Sequence, residues 1–214
     1  MYKTIAALAV AVLAAAGCTS IEHGRGSSVP PGSVQTARST SRQPAPDLRA
    51  QLLTVADLPS VWSIDNSSSD GNADRPPCLQ RLDSEVPTHE KAVASFVKGS
   101  SGFLDEGIAY FGDNATASGE FSTFAATYNG CTDMSFTSDG TKVTGSIGPM
   151  SFPNFGDQSQ AWALTLTAEG TTLGVDLVLM QKGAELAELF YGDFGWLDVT
   201  ELQTLAKSAA DKMP

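Results

Sequence analysis

The sequence predicts an α+β fold, a two-layer sandwich in which helices pack on one face of an antiparallel sheet. Three observations carry this expectation. Several runs alternate apolar and polar residues as strands do, two segments repeat apolar residues at helical spacing, and short turn pairs join consecutive runs.

Between Asp47 and Trp62 the residues Leu48, Leu52, Leu53, Val55 and Leu58 are apolar, which predicts a short helix or turn closed at Pro59. Residues 66–75 form a polar loop, after which Pro76 and Pro77 lead Cys78 into a brief helical turn. Alternation over 92–97 and again over 107–111 predicts an antiparallel hairpin, with glycines between 99 and 102 at the break. Asp113 or Asn114 then caps a helix with Ala117, Phe121, Phe124, Ala125 and Tyr128 on one face, stopped by Asn129 and Gly130. Further strands are expected over 141–147, 161–168, 171–181 and 184–191, the second and third joined by Glu169 and Gly170. Trp162, Leu164 and Leu166 share a parity, as do Leu173, Val175, Leu177 and Leu179, so each of those strands has a face suited to a core. The chain closes in a helix capped by Asp198, with Glu201 three residues on and a stripe of Val199, Leu202, Leu205, Ala206, Ala209 and Met213.

Ahead of this domain, residues 1–17 read as a signal peptide: Lys3, then an apolar run over 5–16 that is too short for a bilayer core of about 30 Å. Ala15, Ala16 and Gly17 directly precede Cys18, the pattern of a lipoprotein cleavage site. Cys18 is therefore expected to carry lipid, and acyl chains buried at about 0.8 kcal/mol per CH2 make a durable anchor on the extracytoplasmic face of a membrane. Residues 18–47, rich in Ser, Pro, Gly, Thr and Arg, read as a disordered tether, and residues 48–214 as one domain with its own core. The most apolar later stretch, 173–180, is broken by Gly174 and Asp176 and is the size of a strand.

The chain carries a formal net charge of −11. The basic residues Lys3, Arg25, Arg38 and Arg42 precede the domain, which is therefore more acidic still and repels nucleic acid. With Cys18 committed to lipid, Cys78 and Cys131 remain as an even pair in an oxidising compartment and are expected to form a disulfide. The alternative, a reactive or metal-binding thiol pair, lacks CxxC or histidine spacing nearby.

Groups that carry chemistry are sparse. The two histidines, His23 in the tether and His89 in a polar loop, read as solvent residues, and no GxSxG elbow is present. The carboxylate pairs Asp83 with Glu85 and Asp105 with Glu106 read as solvated loops, and no calcium, zinc or phosphate-binding spacing occurs. No catalytic residue, metal or cofactor is therefore expected, and the chain does not read as an enzyme. The feature that points furthest toward function is the aromatic set Phe190, Tyr191, Phe194 and Trp196, near Phe152 and Phe155 in the SFPNFGD loop. These six either line a pocket for an apolar or sugar ligand or seal the core against the terminal helix.

The segments LLTVADLPSVWS, PPC, VASFVKG, YNGC, SFPNFGDQSQAWALT and TLGVDLVLMQKG, with the terminal amphipathic helix, together resemble actinobacterial sensor-domain lipoproteins. That family is similar to the extracytoplasmic domain of PknH-type receptor Ser/Thr kinases. The resemblance implies a sheet with helices on one side and a cleft for an unidentified ligand. It departs at the cysteines, since the kinase-attached domains carry two disulfides and only Cys78 and Cys131 are available here; no kinase or transmembrane segment is expected either. The expected function is thus a lipid-anchored binding or sensing module of the cell envelope, with a small apolar ligand or an envelope protein as partner. A structural lipoprotein that binds a protein partner is the alternative, and an envelope hydrolase ranks last.

Overall fold

The computed structural model describes residues 46–66, 78, 90–138, 140–195 and 197–214. The N-terminal peptide, Cys18 and the tether up to residue 45 lie outside the described residues, as do Asp83, Glu85, His89 and Trp196.

In chain order the elements are helix α1 (Leu48–Gln51), a 3-10 turn (Val55–Asp57), strands β1 (Trp62–Ile64), β2 (Glu90–Lys98) and β3 (Gly102–Tyr110), and helix α2 (Asn114–Gly130). Strands β4 (Asp133–Ser138), β5 (Thr141–Met150), β6 (Gln158–Ala168), β7 (Thr171–Lys182) and β8 (Glu185–Asp193) follow, and helix α3 (Val199–Lys212) ends the chain. The strands form one eight-stranded sheet in the order β1-β2-β3-β8-β7-β6-β5-β4, antiparallel at every pairing.

Local chemistry explains the boundaries. Asp113 caps α2 by accepting from the Thr116 backbone N–H at 2.8 Å, and Asp198 caps α3 by accepting from the N–H groups of Thr200 and Glu201. Glu169 and Gly170 both adopt left-handed backbone conformations, φ 50° and 78°, which suits the tight β6–β7 hairpin turn. Cys78 is joined to Cys131 at the C-terminal end of α2, with Cα atoms 5.6 Å apart.

Helices lie on both faces of the sheet, so the expected two-layer sandwich with helices on one face is corrected to three layers. Ala117, Phe121, Phe124, Ala125 and Tyr128 of α2 pack with Leu173, Val175, Leu177 and Leu179 of β7. Leu202, Leu205, Ala206 and Ala209 of α3, with Leu48, Leu52 and Leu53, pack instead with Val178 and Met180 from the opposite parity of the same strand. A strand apolar at both parities is covered on both sides, and β7 is such a strand.

The hairpin of β2 and β3 starts earlier than the pattern suggested, because β3 includes Asp105 and Glu106. These two acids are not a solvated loop, as the sequence suggested. They are buried in a strand and, being adjacent, point to opposite faces of the sheet.

Candidate functional site

The aromatic set, read as either a ligand pocket or a seal of the core against the terminal helix, is divided between the two faces of the sheet in its described members. Phe190 packs with the α2-side core and Tyr191 with the α3-side core, as neighbours on one strand must. Phe194 packs on the α2 side, whereas Phe152 and Phe155 pack on the α3 side. Their loop also sits at the other end of the strand: the Asp157 N–H donates to the Gln181 carbonyl and the Asp157 carboxylate accepts from the Gly183 N–H. From that turn to Tyr191 β8 runs roughly 20 Å at about 3.4 Å per residue. Phe152 and Phe155 meet edge to face, ring centroids 5.9 Å apart, as a self-contained pair.

What replaces the single pocket is a pair of polar centres, one on each face, near one end of β8. On the α3 face Glu201 gathers three donors. Trp62 Nε1 donates to Oε1 at 2.8 Å, while Lys98 Nζ at 2.5 Å and the Tyr191 hydroxyl at 2.8 Å donate to Oε2. Lys98 Nζ also lies 5.6 Å from the Trp62 ring centroid. Burial pushes the Glu201 carboxyl up, but the Lys98, Trp62 and Tyr191 donors together outweigh it and hold the group below its ordinary value. Burial and the adjacent Glu201 carboxylate push the Tyr191 phenol up. This cluster fastens α3 to β1, β2 and β8, and every polar atom in it is engaged.

The α2 face is different. Asp105 lies opposite Phe190 on β8 and Ser95 on β2. Phe103 lies opposite Gly192, where an added Cβ would meet the Phe103 ring at 2.1 Å, so the ring occupies the space that glycine leaves. Phe194 packs against the same core. The Asp105 side chain is 8 % exposed, and its Oδ2 has no hydrogen-bond partner. Burial pushes its carboxyl up to about 6, against a hydrogen bond involving Ser95. One strand further out the face opens to solvent, for Val93 on β2 is 58 % exposed. The arrangement is an apolar wall of Phe103, Phe190 and Phe194 around one acceptor that lacks a donor. It can bind an apolar body carrying one hydrogen-bond donor or cation.

Of the six expected pocket residues, the structure thus keeps Phe190 and Phe194 together, moves Tyr191, Phe152 and Phe155 to the other face, and leaves Trp196 outside the described residues. Reading the sequence missed Asp105, Phe103 and the Glu201 cluster. The available signal was FLDEGIAY, two acids inside an otherwise strand-like run, where a strand reading places one carboxylate on each face. Among the described residues no group of three His, Cys, Asp or Glu converges to hold a metal ion, and no helix is long and apolar enough to cross a membrane.

The fold and this site define an antiparallel sheet covered by helices on both faces, with a buried acceptor between phenylalanines. The chain is similar in structure to the extracellular domain of PknH from Mycobacterium tuberculosis, with a TM-score of 0.59 and 10 % sequence identity over 80 % of this chain and 97 % of that one. The likeness expected from the sequence is therefore shown at the level of fold alone. No protein-family profile and no curated protein sequence matches the chain.

Proposed function

We propose that this chain is a lipid-anchored, extracytoplasmic sensing module of the cell envelope that binds a small, largely apolar ligand on the α2 face of its sheet. The observation that carries ligand binding is Asp105: a buried carboxyl oxygen without a donor, set among Phe103, Phe190 and Phe194. Leaving such an acceptor unmade costs about 1–3 kcal/mol, which a ligand donor returns on binding. The likeness to a receptor-kinase extracellular domain supports a sensing role and an extracytoplasmic address. The peptide ending at Cys18 supports lipid anchoring. No catalytic step enters this reading.

Native mass spectrometry of the full chain, before and after denaturation, tests it. A reproducible extra mass that leaves on denaturation, and that is lost or bound at least tenfold more weakly in Asp105→Leu, supports the reading. A bare chain, or an adduct indifferent to Asp105→Leu and Phe190→Ala, overturns it. Cys18→Ser should abolish acyl mass and membrane partitioning together; a membrane-bound Cys18→Ser variant overturns the anchor.

A further inference from the structure

We propose that Gln51 and Glu185 form a proton-operated clasp. The neutral acid of Glu185 and the amide of Gln51 join through two hydrogen bonds that fasten α1 to β8, and loss of the proton frees α1 from the sheet. The clasp lies on the α3 side and is independent of the ligand site around Asp105.

Helix α1 is four residues long, too short to hold its shape without tertiary contacts. Leu48 is its buried side chain and packs in the α3-side core. Its polar tie is Gln51, whose Nε2 donates to Glu185 Oε1 at 3.1 Å across 134 positions of sequence. Glu185 is 1 % exposed and faces the α3 side with Ala187, Leu189 and Tyr191 of its own strand.

The remaining atom of each group carries the inference. Glu185 Oε2 and Gln51 Oε1 are both buried, and neither has a hydrogen-bond partner. Among the described residues the only other such side-chain atom is Asp105 Oδ2, on the opposite face. Two acceptors on one hydrogen-bonded pair thus lack a donor. A proton on Glu185 Oε2 makes that oxygen the donor and Gln51 Oε1 its acceptor, so one proton satisfies both atoms and closes a ring of two hydrogen bonds.

The neighbouring charges and donors are occupied elsewhere. Lys182 lies opposite Glu185 on β7, but its ammonium donates to the Ala210 and Met213 carbonyls at the end of α3. Tyr110 lies opposite on β3, and its hydroxyl donates to the Gly112 carbonyl. Lys212 of α3 serves Asp57 and the Leu52 carbonyl. Glu90 follows Tyr110 in the same row one strand further out, and Asp47 and Arg49 at the start of α1 are exposed. Burial raises the Glu185 carboxyl, against the Gln51 hydrogen bond and the Lys182 charge, so the neutral acid persists above the ordinary glutamate range.

Ionisation releases the proton to solvent and leaves Oε2 charged, buried and without a donor. Water reaches that carboxylate when α1 lifts. Lys212 on the Leu52 carbonyl and Glu106 on the Leu53 N–H keep the chain pinned just beyond the helix, so the change stays local to Leu48–Gln51. These residues are the first of the domain, and rising pH adds them to the segment that precedes it.

The test follows the full chain in a non-ionic detergent by NMR from pH 4 to pH 8, reading the Glu185 carboxyl carbon and the backbone order parameters of Ala50 and Gln51. The carbon should titrate above the ordinary glutamate range. Over the same interval the order parameters should fall from about 0.85 to below about 0.6 while those of β7 hold. Glu185→Gln, which keeps both hydrogen bonds with an amide in place of the acid, should hold α1 ordered throughout. Glu106→Gln, which alters the nearby buried acid, should leave the transition in place. An ordinary Glu185 titration, an α1 that stays ordered after Glu185 ionises, a transition that survives Glu185→Gln, or one that vanishes in Glu106→Gln overturns the proposal. The first two readings use the unaltered chain, so they decide the matter even where a variant fails to fold.

Discussion

Glu201 shows how much one side chain organises here. Its carboxylate accepts from Trp62, Lys98 and Tyr191, so Glu201→Ala leaves the indole N–H and the phenol without an acceptor in a largely buried setting. The expected cost is about 2–4 kcal/mol, read as a fall in the urea midpoint at unchanged slope. Glu201→Gln keeps one oxygen as acceptor and should recover part of the loss. The sequence placed Glu201 as the third residue of a capping box with Asp198. Asp198 does cap the helix, but the Glu201 side chain is engaged instead by residues 139, 103 and 10 positions away in the chain. No periodicity encodes such partners. Glu106 is a second case. Its Oε2 accepts the Leu53 backbone N–H at 2.6 Å and ties the start of the domain to β3, while burial pushes its carboxyl up to about 7. Glu106→Gln keeps an acceptor without the charge and should raise the melting temperature at pH 8 while leaving it nearly unchanged at pH 5.

At the scale of elements, α2 is held at both ends. Asp113→Ala removes its N-cap and should cost about 1 kcal/mol, measured by thermal unfolding. At the other end the Cys78–Cys131 link spans 53 residues. Replacing both cysteines by serine should cost about 4 kcal/mol by the chain-entropy argument, with α2 amides losing hydrogen-exchange protection before those of β6 and β7. If those amides lose protection together, α2 depends on the sheet more than on the link. Helices α2 and α3 were legible from their caps and spacing, and β5 to β8 from alternation and turns. Strand β1 is three residues long and carries too few positions for a pattern. In β3 the acids at 105 and 106 hide the alternation, because strand chemistry ordinarily excludes buried carboxylates.

Among the described residues five acids are buried, Asp105, Glu106, Asp176, Glu185 and Glu188. Burial pushes Asp105 and Asp176 up to about 6 and Glu106 to about 7, and it also raises Glu185. A carboxyl whose folded value exceeds its unfolded value of about 4 stabilises the fold fully below that lower value. It loses that stabilisation as pH rises from the unfolded value, and the loss is complete once pH passes the folded value of 6 to 7. Asp57 is held low first by the hydrogen bond from Lys212 and Glu201 by its three donors, and both act in the opposite sense, losing stability as pH falls through their lowered values. Stability should therefore peak near pH 4, the unfolded value of the raised carboxyls. Between pH 5 and pH 8 each group loses about 1.4 kcal/mol per pH unit up to its folded value, roughly 5 kcal/mol for Asp105, Asp176 and Glu106 together, so the melting temperature should be on the order of 10 °C higher at pH 5 than at pH 8. A flat or rising profile between those values, measured by calorimetry in matched buffers, contradicts this account. Asp176→Asn should remove part of the slope.

The sequence by itself determined the elements with local causes: capped helices, alternating strands, their turns, and a cysteine pair available to join. Those causes act over a few residues and are written in consecutive positions. Only the tertiary structure decided which face each helix covers, and with it the fate of the aromatic set. Phe190 and Tyr191 are neighbours in sequence, yet strand pleating sends them to different cores once both faces are covered. The same packing left one carboxyl oxygen each of Asp105 and Glu185 buried without a hydrogen-bond partner. Whether a carboxylate meets a donor depends on what folds over it, which is a property of the assembled layers.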